Sequence, residues 1–237
     1  MTISYHERPG VYSDYTASSV YAGASGGKTV GLAAISAAQD GLYTVCSMAD
    51  AAVFSADDKL CTMLRLLFQN GAGKVLVCPV TEATAAAYTA AFNLLLAARE
   101  AKILLSDSAD LQVAQALKTA VEAAAADRNE CVAVFGTGAQ TDTNRIADAA
   151  ALNSARVLVA APESYAEGAA QKHAAYTAAA IAGLLAGQSD PALPLSGAEL
   201  KGLTAVDAVW TEDALDLLIF SSHSSRGTHS MRLRSVP

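Results

Sequence analysis

Lys74-Val-Leu-Val-Cys-Pro79, Ala101-Lys-Ile-Leu-Leu-Ser106, Cys131-Val-Ala-Val-Phe-Gly136 and Ala155-Arg-Val-Leu-Val-Ala160 are short apolar runs of strand length, separated by Ala-rich segments of helical period. Each run is continuous rather than alternating, as expected for a strand buried on both faces. Strands spaced by single helices pair in parallel, and right-handed crossovers put those helices on both faces of the sheet. The fold class read from this stretch is α/β: a mostly parallel, doubly wound sheet with helices on both faces. Such a fold does not name a function, which has to come from sites or from recognisable sequence.

The intervening helices carry their own punctuation. Tyr88, Phe92 and Leu95 line one face of the first, and Val113, Leu117 and Val121 line the second, with Ser108 as its expected cap. Thr141 is expected to cap the third, with Asp142 in the first turn favourable to the helix dipole. Ser164-Tyr-Ala-Glu167 matches a capping box and predicts a long Ala-rich helix reaching about Gly187. Asp190-Pro-Ala-Leu-Pro194 then interrupts regular structure, and Thr211-Glu-Asp-Ala-Leu-Asp-Leu-Leu218 reads as the start of another helix.

On the N-terminal side, Val20-Tyr-Ala, Thr29-Val-Gly-Leu-Ala-Ala-Ile35 and Leu42-Tyr-Thr-Val-Cys46 read as strands, with a Gly-rich turn at 23–27. Leu60, Met63, Leu64, Leu67 and Phe68 then fall on one helical face, with Ser55 as expected N-cap, Asp58 three residues on, and Asn70-Gly71 as the stop. These elements are expected to form a small α+β region at 20–73 on the flank of an α/β core domain at 74–218. Residues 219–237 hold three arginines, no acid and no hydrophobic period, and are expected to be disordered. They read as a frameshift product or an expression-derived tail rather than native sequence.

The totals narrow the function. The chain has 237 residues, enough to bury a substantial core, and 52% are apolar, with no uncharged run approaching a membrane span. Its start lacks the basic-then-apolar order of a signal peptide, so cytoplasmic synthesis and retention until assembly or lysis are expected. A net charge of −7 argues against nucleic acid as a main partner. Cys46, Cys61, Cys78 and Cys131 are widely spaced without a C-x-x-C pair and read as structural thiols, not as a metal or disulfide set.

Residues 1–19 read as an extended arm. Ile3, Tyr5, Val11, Tyr12 and Tyr15 give it apolar and aromatic surface to dock, with Pro9-Gly10 as punctuation. It is either an edge strand of its own domain or a strand added to a neighbour's sheet. The stretch Ser4-Tyr-His-Glu-Arg-Pro-Gly-Val-Tyr12 resembles the opening of contractile-tail sheath proteins of phages and related bacteriocin particles. The resemblance continues through Gly26-Gly-Lys-Thr-Val-Gly31 and the α/β block to about Asp216.

That resemblance implies a structural subunit. It implies rings of six copies stacked helically around a tail tube, with a baseplate and a tail terminator as further partners. Arms would link neighbouring subunits, with Ile3, Tyr5, Pro9, Gly10, Val11 and Tyr12 as the assembly arm here. It implies a lattice that contracts to drive the tube through a cell envelope without ATP. No cofactor is expected, and neither nucleic acid nor a membrane is an expected partner. The central domain of the family resembles a subtilisin-type layer without its catalytic residues. Sheath subunits usually continue past the equivalent of Leu218 into a further domain, so this form is expected to fold but not to form the arm-linked mesh.

Three features are candidates for chemistry. Ala22-Gly-Ala-Ser-Gly-Gly-Lys-Thr29 nearly matches a phosphate-binding loop, but Ala22 replaces the first glycine and a strand, not a helix, follows Lys28. The same residues fit a nucleophile elbow at Ser25, whose only histidine partner outside the tail and after the serine is His173, expected within the long Ala-rich helix. Gly136-Thr-Gly-Ala-Gln-Thr141 lies between a strand and a helix, the context of a dinucleotide loop, with Thr141 at the third glycine position. A small nucleotide-binding enzyme using the Lys28 or Gly136 loop is therefore the alternative reading. The carboxyl ends of the strands carry Glu82, Asp107, Asp110, Asp142 and Glu163, an acidic rim expected to lack nearby Lys or Arg and to stabilise helix N-termini. No catalytic or metal residues are assigned.

Overall fold

The computed structural model describes residues 27–190, 195 and 197–206. The expected arm, the Val20 strand, Ser25, the Asp190–Pro194 interruption beyond its first residue, the 211–218 helix and the tail lie outside the described residues. In chain order the elements are β1 (Thr29–Ile35), β2 (Tyr43–Val45), a 3-10 turn (Asp50–Phe54), α1 (Asp58–Gln69), β3 (Val75–Val80), α2 (Ala85–Ala97) and β4 (Ala101–Ser106). There follow α3 (Leu111–Ala126), β5 (Val132–Gly136), α4 (Asp142–Leu152), β6 (Val157–Ala160), β7 (Ser164–Ala166), α5 (Ala174–Gly187) and β8 (Leu203–Val206).

The four apolar runs are β3, β4, β5 and β6. With β1 and β2 they make one six-stranded sheet in the order β2-β3-β1-β4-β5-β6. It is parallel throughout except for β2, which runs antiparallel to β3. Side-chain alternation divides each strand between two cores. Val75 and Val77 of β3 join Leu32, Leu105 and Val134 in a core with α1 and α5. Leu76, Cys78 and Val80 face the other way, joining Leu104, Phe135 and the buried faces of α2 and α3, with Leu152 of α4. Every residue of β3 is buried, which is why its sequence shows no polar alternation.

The chain reverses direction across the sheet. From β1 it moves to β3 through α1 on one face. From β3 it passes over β1 to β4, β5 and β6, with α2, α3 and α4 on the other face. The reversal puts a switch point between the carboxyl ends of β1 and β4, the place where open α/β sheets gather ligands. The chain then returns through α5 to the α1 side, where Gly183 lets the two helices approach closely. A Cβ there would lie 2.6 Å from the Leu67 carbonyl oxygen.

Several expectations are corrected. The boundary near residue 73 is not one the sheet follows: β1 lies in its middle, between β3 and β4, and α1 packs on the same core as α5. Ser55 closes the 3-10 turn, and Asp57 occupies the N-cap of α1. Asp110, not Ser108, caps α3 by accepting from the Gln112 amide at 2.9 Å, while the Ser108 hydroxyl accepts from the Asp110 amide. Ser164 does not start a helix. It is buried in β7, which pairs antiparallel with β8 in a second, two-stranded sheet, and α5 starts only at Ala174. The capping box gave way to a strand pairing some forty residues distant, beyond the reach of a local pattern. Thr141 does cap α4, accepting from the Asn144 amide, and Asn70 ends α1 ahead of Gly71 at φ +112°.

Candidate functional site

The switch point is occupied by the protein's own side chains. Asp107, just past β4, is 2% exposed. A carboxylate that buried needs partners, since an unpaired charge in the interior is costly. It accepts from the Tyr88 hydroxyl of α2, and the Lys59 ammonium of α1 lies 3.1 Å away. Its backbone amide donates to the Ala33 carbonyl of β1. Burial, and after it the Asp107 charge, push the Tyr88 phenol well above its ordinary range. Beside this, the Ser36 hydroxyl at the end of β1 donates to Asp57 at the start of α1. One buried carboxylate therefore ties α1, α2, β1 and β4 together.

Three of the other four rim acids also have basic or backbone partners. Glu163 pairs with Lys172 at 3.3 Å and accepts from the Gln140 amide at 3.1 Å. Asp142 pairs with the buried Arg145 one turn on in α4, at 2.7 Å. Asp110 caps α3, and Glu82 is an exposed residue of the β3–α2 loop. The expectation of a rim without Lys or Arg is corrected: Lys59, Arg145 and Lys172 come from loops and helices whose proximity the sequence alone does not reveal.

The two loops read as possible nucleotide sites have other work. The Lys28 ammonium donates to the carbonyls of Leu185 (3.3 Å) and Gln188 (3.4 Å), at the C-terminal end of α5. A cation there meets the negative end of the helix dipole. Lys28 leads directly into β1, with no helix N-terminus to receive a phosphate. In the β5–α4 loop, a Cβ on Gly136 would lie 2.3 Å from the Ala174 carbonyl oxygen, so this glycine makes room for the start of α5. Thr137 donates to Asp148 at 2.6 Å and accepts from the Ala139 amide, folding the loop onto α4.

His173 is not inside the long helix but at its N-cap, in extended conformation. Its Nδ1 accepts from the Ala175 amide at 3.0 Å. It stands near Lys59, Asp107 and Glu163. Burial, and then the Lys59 charge, lower its pKa below the ordinary imidazole value, against the pull of the two carboxylates. No local pattern marks this cap, because histidine is not among the residues that signal helix starts.

Cys61, Cys78 and Cys131 are wholly or partly buried and Cys46 is exposed, all as free thiols. Burial pushes the first three up from the ordinary thiol range. Among the described residues no three His, Cys, Asp or Glu side chains gather as a metal site, and no helix is long and apolar enough to cross a membrane.

No family model matches the sequence, and no curated protein matches it. Solved structures do. A chain of the anti-feeding prophage baseplate superposes with a TM-score of 0.64 at 19% identity, over 90% of this chain and 62% of that one. A chain of the anti-feeding prophage helical sheath in its contracted state superposes at 0.59 and 18% identity, with the same coverage. The sheath tail protein of Desulfitobacterium hafniense superposes at 0.64 and 10% identity, over 90% of this chain and 70% of that one. This chain therefore spans about three fifths of the prophage chains it matches. It has the mostly parallel α/β fold of contractile-tail sheath proteins.

Proposed function

We propose that this chain is a structural subunit of a contractile tail sheath, polymerising with copies of itself around a tail tube and contracting to drive the tube through a cell envelope. The observation that carries the proposal is the match over 90% of the chain to chains from both a baseplate and a contracted helical sheath. The switch point adds support, since its charged residues are spent on one another and on helix ends.

In this reading the protein is not an enzyme and binds no cofactor. Its partners are other copies of itself, the tube protein, the baseplate and the tail terminator, within a phage tail or a phage-tail-like particle assembled in the bacterial cytoplasm. Ile3, Tyr5, Pro9, Gly10, Val11 and Tyr12 form the arm that links subunits. The described domain supplies a rigid block, and the arms supply the connections.

Negative-stain microscopy tests the proposal. The chain is compared, at high concentration, with a fusion that adds the remaining third of a sheath subunit. Rings or tubes are expected from the fusion. Monomers from both, with the fusion folded by circular dichroism, would overturn the proposal.

A further inference from the structure

We propose that His173 is a pH-operated clasp: its neutral imidazole fastens the start of α5 to β7, and protonation releases that end of the helix.

The geometry assigns the protonation state. Nδ1 accepts a hydrogen bond from the Ala175 amide at 3.0 Å, which requires a lone pair on that nitrogen and leaves the ring proton on Nε2. An imidazolium carries a proton on both nitrogens. Its Nδ1–H would face the Ala175 N–H, and its charge would sit at the positive end of the helix dipole. The cap is lost and becomes a repulsion.

The same residue fastens β7. Its amide donates to the Ser164 carbonyl at 3.0 Å, its carbonyl accepts from the Ser164 amide at 3.5 Å, and β7 in turn pairs with β8. The hydroxyls of Ser164 and Thr177, 2.9 Å apart, make a second tie between β7 and the first turn of α5. The same residue therefore holds the helix cap with its ring and the small sheet with its backbone. Most of α5 is buried, so water does not reach its freed amides without movement.

The surrounding charges do not rescue the protonated form. Lys59 of α1, Asp107 beyond β4 and Glu163 before β7 act on the ring, and the Tyr176 ring of α5 lies 5.8 Å from it. Each carboxylate already has a cation of its own: Asp107 has Lys59, and Glu163 has Lys172. Burial then holds the folded-state value below the ordinary 6.5. The unfolded chain binds the proton first as pH falls. The contribution of the clasp is complete above about pH 6.5, falls as pH drops toward the folded-state value, and is constant below it.

The test is an NMR titration of the full chain between pH 7.5 and 5. At neutral pH the His173 nitrogen shifts should report the Nε2–H form. Protection of the Ala175 and Ser164 amides, corrected for intrinsic exchange, should fall about tenfold or more on acidification, since breaking one cap is worth a factor of that order. His173→Asn retains a capping acceptor without a titrating group and should show no such fall. An Nδ1–H tautomer at neutral pH, or unchanged wild-type protection across the range, would overturn the proposal. So would an Asn variant that loses protection in parallel with the wild type. If the variant does not fold, the wild-type titration decides alone. None of these outcomes depends on whether the chain assembles into a sheath.

Discussion

Asp107 past β4 and Gly136 at the end of β5 show how single residues shape the carboxyl edge of the sheet. Tyr88→Phe would leave one side of the buried Asp107 carboxylate without its hydroxyl donor, and should lower unfolding stability by about 1–3 kcal/mol in urea denaturation. A variant as stable as the wild type would mean that the hydrogen bond contributes nothing net. Gly136→Ala should cost more, because the added methyl would have to push back the Ala174 carbonyl at the start of α5. We expect a loss of about 3 kcal/mol or a failure to express as soluble protein, the range for overpacking against a backbone that has little room to yield. Lys28→Ala should remove only the tie to the end of α5, with no change in thermal stabilisation by added nucleotide, because neither form is expected to bind it. Wild-type stabilisation by ATP that disappears in the variant would reinstate the phosphate-loop reading.

At the scale of elements, the caps and helix contacts separate what local sequence encodes from what it does not. Thr141→Ala should destabilise by about 1 kcal/mol through the lost bond to the Asn144 amide, with a hydrogen-exchange signature confined to the first turn of α4. Leu67→Ala should cost about 2–5 kcal/mol, since Leu67 is wholly buried in the core that α1 and α5 share. The buried strands, the apolar faces of α1, α2 and α3 and the Thr141 cap were all legible, because each depends on residues within one or two turns. The middle position of β1 was not. Its sequence marks it as a buried strand, but its neighbours, β3 and β4, are chosen by crossovers that span the chain. The same holds for β7, whose partner β8 comes after α5, and for Asn70, whose amide clamps the Lys201 backbone from 131 residues away. The rim acids were found by pattern, and their cations were missed because Lys59 and Arg145 sit on helices whose orientation toward the rim is a property of packing.

For the whole molecule, the proposed function makes an α/β layer of the kind that elsewhere gathers ligands into a building block. The fold is shared over nine tenths of this sequence with chains of a prophage baseplate, of a contracted helical sheath and of a sheath tail protein, at identities of 10–19%. At such identities most side chains differ while the fold is kept, and the architecture is readable here from this chain's own strand runs. The role in a particle rests on the proposal that copies of this block are joined into a lattice. The direct test is immunogold electron microscopy of tail-like particles released by the cells that make this chain, using antibody raised against residues 27–206. Gold in rows along the outer surface of the tail is expected. Sheathed particles that remain unlabelled, while the chain is recovered in quantity from the soluble fraction of the same cells, would contradict the proposal.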